Sequence, residues 1–161
     1  MLHELFSQDR ILMDMACLDR YELFDALVAS AAQGFGDSFP RKEALQGLLA
    51  REALMPTAIR PGIAIPHAKL ALPIELCGAV AFLPAGLSFA SPEADPVRVV
   101  FMLLSPKAEP GLHLDALKRL AQLIDAPGFI EAFSQARDPR EANALVRRFE
   151  CQLKPVKGSH T

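Results

Sequence analysis

The chain has 161 residues, about half of them apolar (51%), and a formal net charge of -2. That is long enough to bury one substantial core and too hydrophobic for a disordered segment. The near-neutral balance supplies no electrostatic footprint for nucleic acid or an anionic membrane surface. Residues 1–15 carry Glu4, Asp9, Arg10 and Asp14 around no long apolar centre, so they do not read as a signal peptide. The longest apolar run, 99–104, falls far short of the ~20 residues a membrane helix needs. Cys17, Cys77 and Cys151 are odd in number and widely spaced, with no metal-type pair among them. A reduced, cytoplasmic protein is the expectation.

Residues 11–15 read as a first strand. Asp19 then caps a helix, with Glu22 three residues later completing a capping-box-like pair. Leu23, Phe24, Leu27, Val28 and Ala31 form its apolar face, and Gly34 is a stop signal. A second helix is expected over 41–54, with Leu45, Leu48 and Leu49 facing inward and Arg51 near its C-terminal end. The loop 55–61 contains Pro56 and Pro61. Strands follow at 77–84, 87–89 (short) and 97–104, the last apolar on both faces as a covered central strand would be. The Pro/Gly-rich loop 106–111 delivers His113 to the start of a helix whose inward face is Leu114, Leu117, Ala121 and Ile124. A short helix is expected over 127–136. Asp138 caps the last helix, with Pro139 at its first position and Glu141 after it; Ala142, Leu145, Val146 and Phe149 make its stripe. Residues 152–161 read as a frayed polar tail, with His160 exposed, so the domain runs over 1–151. Strands in the first two-thirds and helices last predict a single-domain α/β fold, a three-layer α/β/α sandwich with a mixed sheet.

The stretch with most chemical content is Gly62-Ile63-Ala64-Ile65-Pro66-His67-Ala68-Lys69. Ile63 and Ile65 alternate with Ala64 like a half-buried strand. Pro66 fixes its own φ and biases Ile65 towards extended geometry, so His67 leaves the strand end in a restricted direction. Each candidate also has a plainer reading: His67 as a turn residue, Arg51 as a charge favourable to a helix C-terminus, His113 as a first-turn residue, Lys69 as solvated surface. A metal site on His67 and His113, completed by Glu75 or Cys77, lacks HExxH or CxxC spacing.

Leu48-Leu49-Ala50-Arg51-Glu52, then Gly62 to His67, then His113-Leu114-Asp115-Ala116-Leu117 together resemble the type-2 IIA domains of the bacterial phosphoenolpyruvate-dependent phosphotransferase system, over about 14–149. That family includes fructose/mannitol IIA proteins and stand-alone nitrogen-type regulators. Two departures are Arg60-Pro61, in a loop expected to be richer in glycine, and Ala68, where many relatives carry Gly. The resemblance implies a phosphocarrier without cofactor or metal. It implies that His67 accepts a phosphoryl group from a phospho-histidine carrier of the HPr/NPr type, while His113 and Arg51 stabilise it. The loaded protein then serves mainly as a nitrogen-regulatory signal; the alternatives are a fructose/mannitol-type component that passes the group to a IIB domain, or a regulatory binding module without onward transfer. Neither nucleic acid nor membrane insertion is implied. Such chemistry needs a neutral ring nitrogen for attack, a hydrogen bond fixing the other nitrogen, and donors for the phosphoryl oxygens. Candidate donors are Arg51, the helix start at His113, and backbone N–H groups near Gly62 or Lys69.

Overall fold

Residue 14 shows how locally this chain is directed. Asp14 sits at φ +50°, which turns the backbone out of the first strand, so β1 is only Ile11–Leu12 rather than a strand over 11–15. Met15 N–H then returns to Phe82 O at 2.9 Å. A computed structural model describes residues 1–72, 74–91 and 93–156; the expected exposure of His160 and part of the expected tail lie outside them.

The helices start where the sequence places their caps. Asp19 Oδ1 accepts Glu22 N–H at 2.9 Å to open α2 (Arg20–Ala31), and Asp138 Oδ1 accepts Glu141 N–H at 2.7 Å to open α6 (Pro139–Glu150). Each satisfies a backbone donor that a helix start otherwise leaves free. Between them lie α3 (Arg41–Leu54), α4 (Pro110–Asp125) and α5 (Phe129–Phe133). A short α1 (Leu2–Leu5) precedes them all. It is too short for periodicity to reveal, yet Leu2 and Phe6 are buried, and Phe6 meets Phe101 edge-on at 5.7 Å.

One mixed sheet joins these helices. Its central strand is β5 (Val97–Pro106). β4 (Cys77–Leu87) pairs with it antiparallel, and β1 runs parallel to β4. The expected break between 84 and 87 is a register shift within β4, not a separate strand. Along the other side of β5 run β2 (Ile63–Ala64) and then β3 (His67–Leu70), both parallel to it. Period-two alternation sends Val100, Met102 and Leu104 into a core under α2 and α3. Val99, Phe101 and Leu103 enter a second core under α4, α5 and α6. The expected α/β/α sandwich is the observed architecture.

Four expectations change. Ile63, Ala64 and Ile65 are all buried, so this segment is covered on both faces rather than half-buried. His67 opens a new strand, so it projects from the gap between two short strands instead of from a strand end. On α4 the inward residues are His113, Ala116, Leu120, Leu123 and Ile124, while Leu114 is 50% exposed and Leu117 and Ala121 are only part-buried. On α3, Ala44, Leu48 and Glu52 are buried, and Leu45 and Leu49 only partly so.

Candidate functional site

The parallel register places His67 beside Leu103 and Lys69 beside Ser105, so all four share the face covered by α4. α4 carries His113 in its first turn, and the two imidazoles come to 5.4 Å between centroids at a 47° tilt. The C-terminal part of α3 closes the site from the sheet's other side, with Gly47 packed close to Ala68 and Leu70. The result is an open cleft of about 640 Å³ over the β3 edge. Its walls include Arg51 and Leu54 from α3, His67 and Lys69 from β3, and His113 and Leu117 from α4.

The ring of His67 is held through Nδ1, which lies 2.7 Å from Ile65 O. A carbonyl can only accept, so Nδ1 carries the proton and Nε2 keeps its lone pair. Burial lowers the His67 pKa and Arg51 and Lys69 add to the fall, against the Ile65 hydrogen bond and Glu52, which favour the charged ring. His113 is 6% exposed, and its Nδ1 is hydrogen-bonded to Ser105 Oγ. Burial, then the His67 and Lys69 charges, lower its pKa to about 4. Both rings are therefore neutral near pH 7, and Nε2 is the remaining nitrogen on each.

Arg51 Nη1 donates to Met55 O at 2.8 Å, capping the carbonyl that follows its own helix. The helix-end role read from the sequence is thus real, and the same side chain lines the cleft with further N–H donors. Lys69 is exposed at the cleft wall. His113 N–H is already donated to Glu109 O at 3.3 Å, so its contribution rests on the ring rather than on its backbone. Gly62 is not part of the cleft; at φ +81° it starts the strand, and its carbonyl accepts from Arg98 and Val99 at the far end of β2. Arg60, in the stiff loop, pairs with Asp125 at the end of α4.

Cys77 is fully buried, and burial pushes its thiol up to about 11, so it is a core residue. Among the described residues no group of three His, Cys, Asp or Glu could hold a metal ion. Sequence reasoning missed Ser105, whose lone hydroxyl at the end of an apolar strand was the available signal. It also missed Glu52 and Thr57, both buried behind the cleft.

The family model described as "Phosphoenolpyruvate-dependent sugar phosphotransferase system, EIIA 2" matches residues 4–148. Over 143 residues the chain is 32% identical to a nitrogen regulatory protein of Bradyrhizobium diazoefficiens, covering 89% of this chain and 92% of that protein. It is 30% identical over 121 residues to the fructose-specific EIIABC component of Bacillus subtilis, covering 75% of this chain and 19% of that protein. The crystal structure of nitrogen regulatory protein IIA-Ntr from Neisseria meningitidis is similar with a TM-score of 0.79 at 26% identity, covering 90% of this chain and 98% of that one.

Proposed function

The chain belongs to the EIIA 2 family of the phosphoenolpyruvate-dependent sugar phosphotransferase system, and we propose that it carries a phosphoryl group on His67. The donor is a phospho-histidine carrier of the HPr/NPr type. The observation that carries the reading is the pair of neutral imidazoles 5.4 Å apart in an open cleft, one of them with its Nδ1 proton fixed by a carbonyl.

His67 Nε2 attacks phosphorus as the donor's nitrogen–phosphorus bond breaks, and the donor ring recovers its lone pair. No proton need move, since Nδ1–H stays on the His67 ring and its bond to Ile65 O accommodates the positive charge that develops there. Phosphoryl transfer asks for positioning and charge stabilisation more than covalent help. The His113 Nε2–H, the Arg51 fork and Lys69 supply that stabilisation to the phosphoryl oxygens. For His113 to donate through Nε2, its Nδ1 must accept from the Ser105 hydroxyl, which a serine can provide. The match across nearly the full length of a nitrogen regulatory protein supports a nitrogen-regulatory role for the loaded and bare states.

Incubation with phosphoenolpyruvate, the general enzyme of the system and a carrier protein tests the acceptor by intact mass. The wild type gains one phosphoryl group and His67→Ala gains none; undiminished uptake by His67→Ala refutes the assignment. A second reading, a sugar-type IIA protein passing the group to a IIB domain, is favoured by the match to the fructose-specific component. Efficient rescue of a strain lacking a fructose IIA domain, at native expression, would select it over the regulatory role.

A further inference from the structure

Behind the cleft lie two buried polar side chains with no part in the transfer described above, Glu52 at 4% exposure and Thr57 at 2%. A carboxylate at that depth demands partners. Glu52 Oε1 accepts Thr57 N–H at 2.9 Å, and Oε2 accepts the Thr57 hydroxyl at 2.7 Å. Arg20 Nη1 stands 3.7 Å from Oε1. Thr57 O in turn accepts Ile65 N–H at 3.1 Å, and Ile65 O accepts His67 Nδ1–H at 2.7 Å.

We propose that Glu52 is a positioning residue for His67: acting through Thr57 and Ile65, its carboxylate holds the ring's orientation and Nδ1–H tautomer. The inference rests on the reading of His67 as the phosphoryl acceptor.

The backbone explains why such a device is needed at this point. β2 ends at Ala64 and β3 begins at His67, so Ile65 and Pro66 lie in the gap between two ladder segments. Pro66 has no N–H to donate, and the Ile65 N–H goes to Thr57 rather than to β5. Thr57 is also the one fully buried residue of the loop 55–61, whose other members are exposed or part-exposed. The loop is therefore pinned where Glu52 grips it, and the carbonyl that aims the imidazole is fixed one hydrogen bond later. No proton travels along this series, because its inner links are amide N–H groups. The charge itself contributes as well: a carboxylate behind the ring favours the positive charge that grows during attack, opposing Arg51 and Lys69.

The test compares Glu52→Gln, Thr57→Val and Thr57→Ser in the full chain by two readouts. One is the ¹⁵N and ¹H spectrum of the His67 ring through a pH titration; the other is the rate of phosphoryl uptake per folded molecule. Glu52→Gln keeps the size but loses the charge and turns an NH₂ towards one of the Thr57 donors. It is expected to mix the His67 tautomers, lower the pH at which the ring titrates, and slow uptake about tenfold. Thr57→Val, which keeps the carboxylate, should also mix the tautomers and carries the same test if Glu52→Gln does not fold. Thr57→Ser, retaining the hydroxyl, should lose less rate than Thr57→Val. A purely structural Glu52 would lower stability yet leave the ring spectrum and the rate per folded molecule as in the wild type, and that outcome overturns the proposal. The acceptor assignment is decided separately by His67→Ala. Were His67 not the acceptor, a single unchanged Nδ1–H tautomer in Glu52→Gln would still refute the positioning role.

Discussion

Replacing His113 by alanine separates support of the phosphoryl group from acceptance of it. His113 is 6% exposed, its Nδ1 is engaged by Ser105, and its ring lies 5.4 Å from that of His67. In the proposed tautomer Nδ1 accepts from Ser105, and Nε2–H is the donor left for a phosphoryl oxygen. A charge-assisted hydrogen bond of that kind contributes roughly 1.5–3 kcal/mol. If the bond strengthens in the transition state, its loss slows transfer by about ten- to a hundredfold, since ~1.4 kcal/mol is tenfold. His113→Ala should therefore still load His67, slowly, and the product should be shorter-lived. His113→Gln keeps an N–H of similar reach and should recover part of the rate. Ser105→Ala adds a sharper arm: Ser105 is fully buried, and without its hydroxyl nothing holds the His113 ring through Nδ1, so neither its orientation nor its Nε2–H tautomer is fixed. It should thus lower the rate in the same direction as His113→Ala although it touches neither phosphorus nor His67. The assay is rapid-quench transfer from a phosphorylated carrier, with phosphopeptide mapping of the product. A wild-type phosphoryl group found on His113, or an unchanged rate in His113→Ala, refutes the reasoning.

Arg51→Lys keeps the charge and loses the planar fork; transfer should slow and the phosphoprotein should hydrolyse sooner, whereas an unchanged rate and lifetime would leave Arg51 only its Met55 cap. Acidification should destabilise the fold: the His113 pKa is lowered from 6.5 to about 4, so between those values the unfolded chain binds a proton that the folded one refuses. This contribution, about 3 kcal/mol by linkage, is fully present above pH 6.5 and lost as pH falls towards 4, with His67 acting in the same direction. Urea midpoints measured across that window should slope less in His113→Gln, and equal slopes would contradict the burial argument. Gly78→Ala would place a Cβ 2.7 Å from Met102 O and 2.8 Å from the Phe6 ring. Overpacking there should cost about 1–3 kcal/mol, and wild-type stability on denaturant unfolding would mean that both the β5 backbone at Met102 and the Phe6 ring give way freely.

What the sequence determined by itself was local. Asp19 and Asp138 announce their helices because a short carboxylate before an apolar-periodic segment satisfies free N–H groups wherever the rest of the chain goes. The apolar run of β5 announces a covered strand, and Gly62 to His67 announces the site through the family resemblance those residues carry. The phase of α4 was not legible, because a histidine counts as polar and a leucine as apolar until it is known that Ser105 waits under His113 and that Leu114 is left half exposed. The burial of Glu52 was not legible either, because only the return of the chain at Thr57, beside Arg20 from a different helix, makes it tolerable. α1 is four residues long and has no periodicity to read; it is held by Glu150, whose buried carboxylate accepts Leu2 and His3 N–H from the other end of the chain. In each case the deciding partner is distant in sequence or exposed to view only by the turn of the backbone. A polar group's burial depends on who meets it there, and that is settled by tertiary structure.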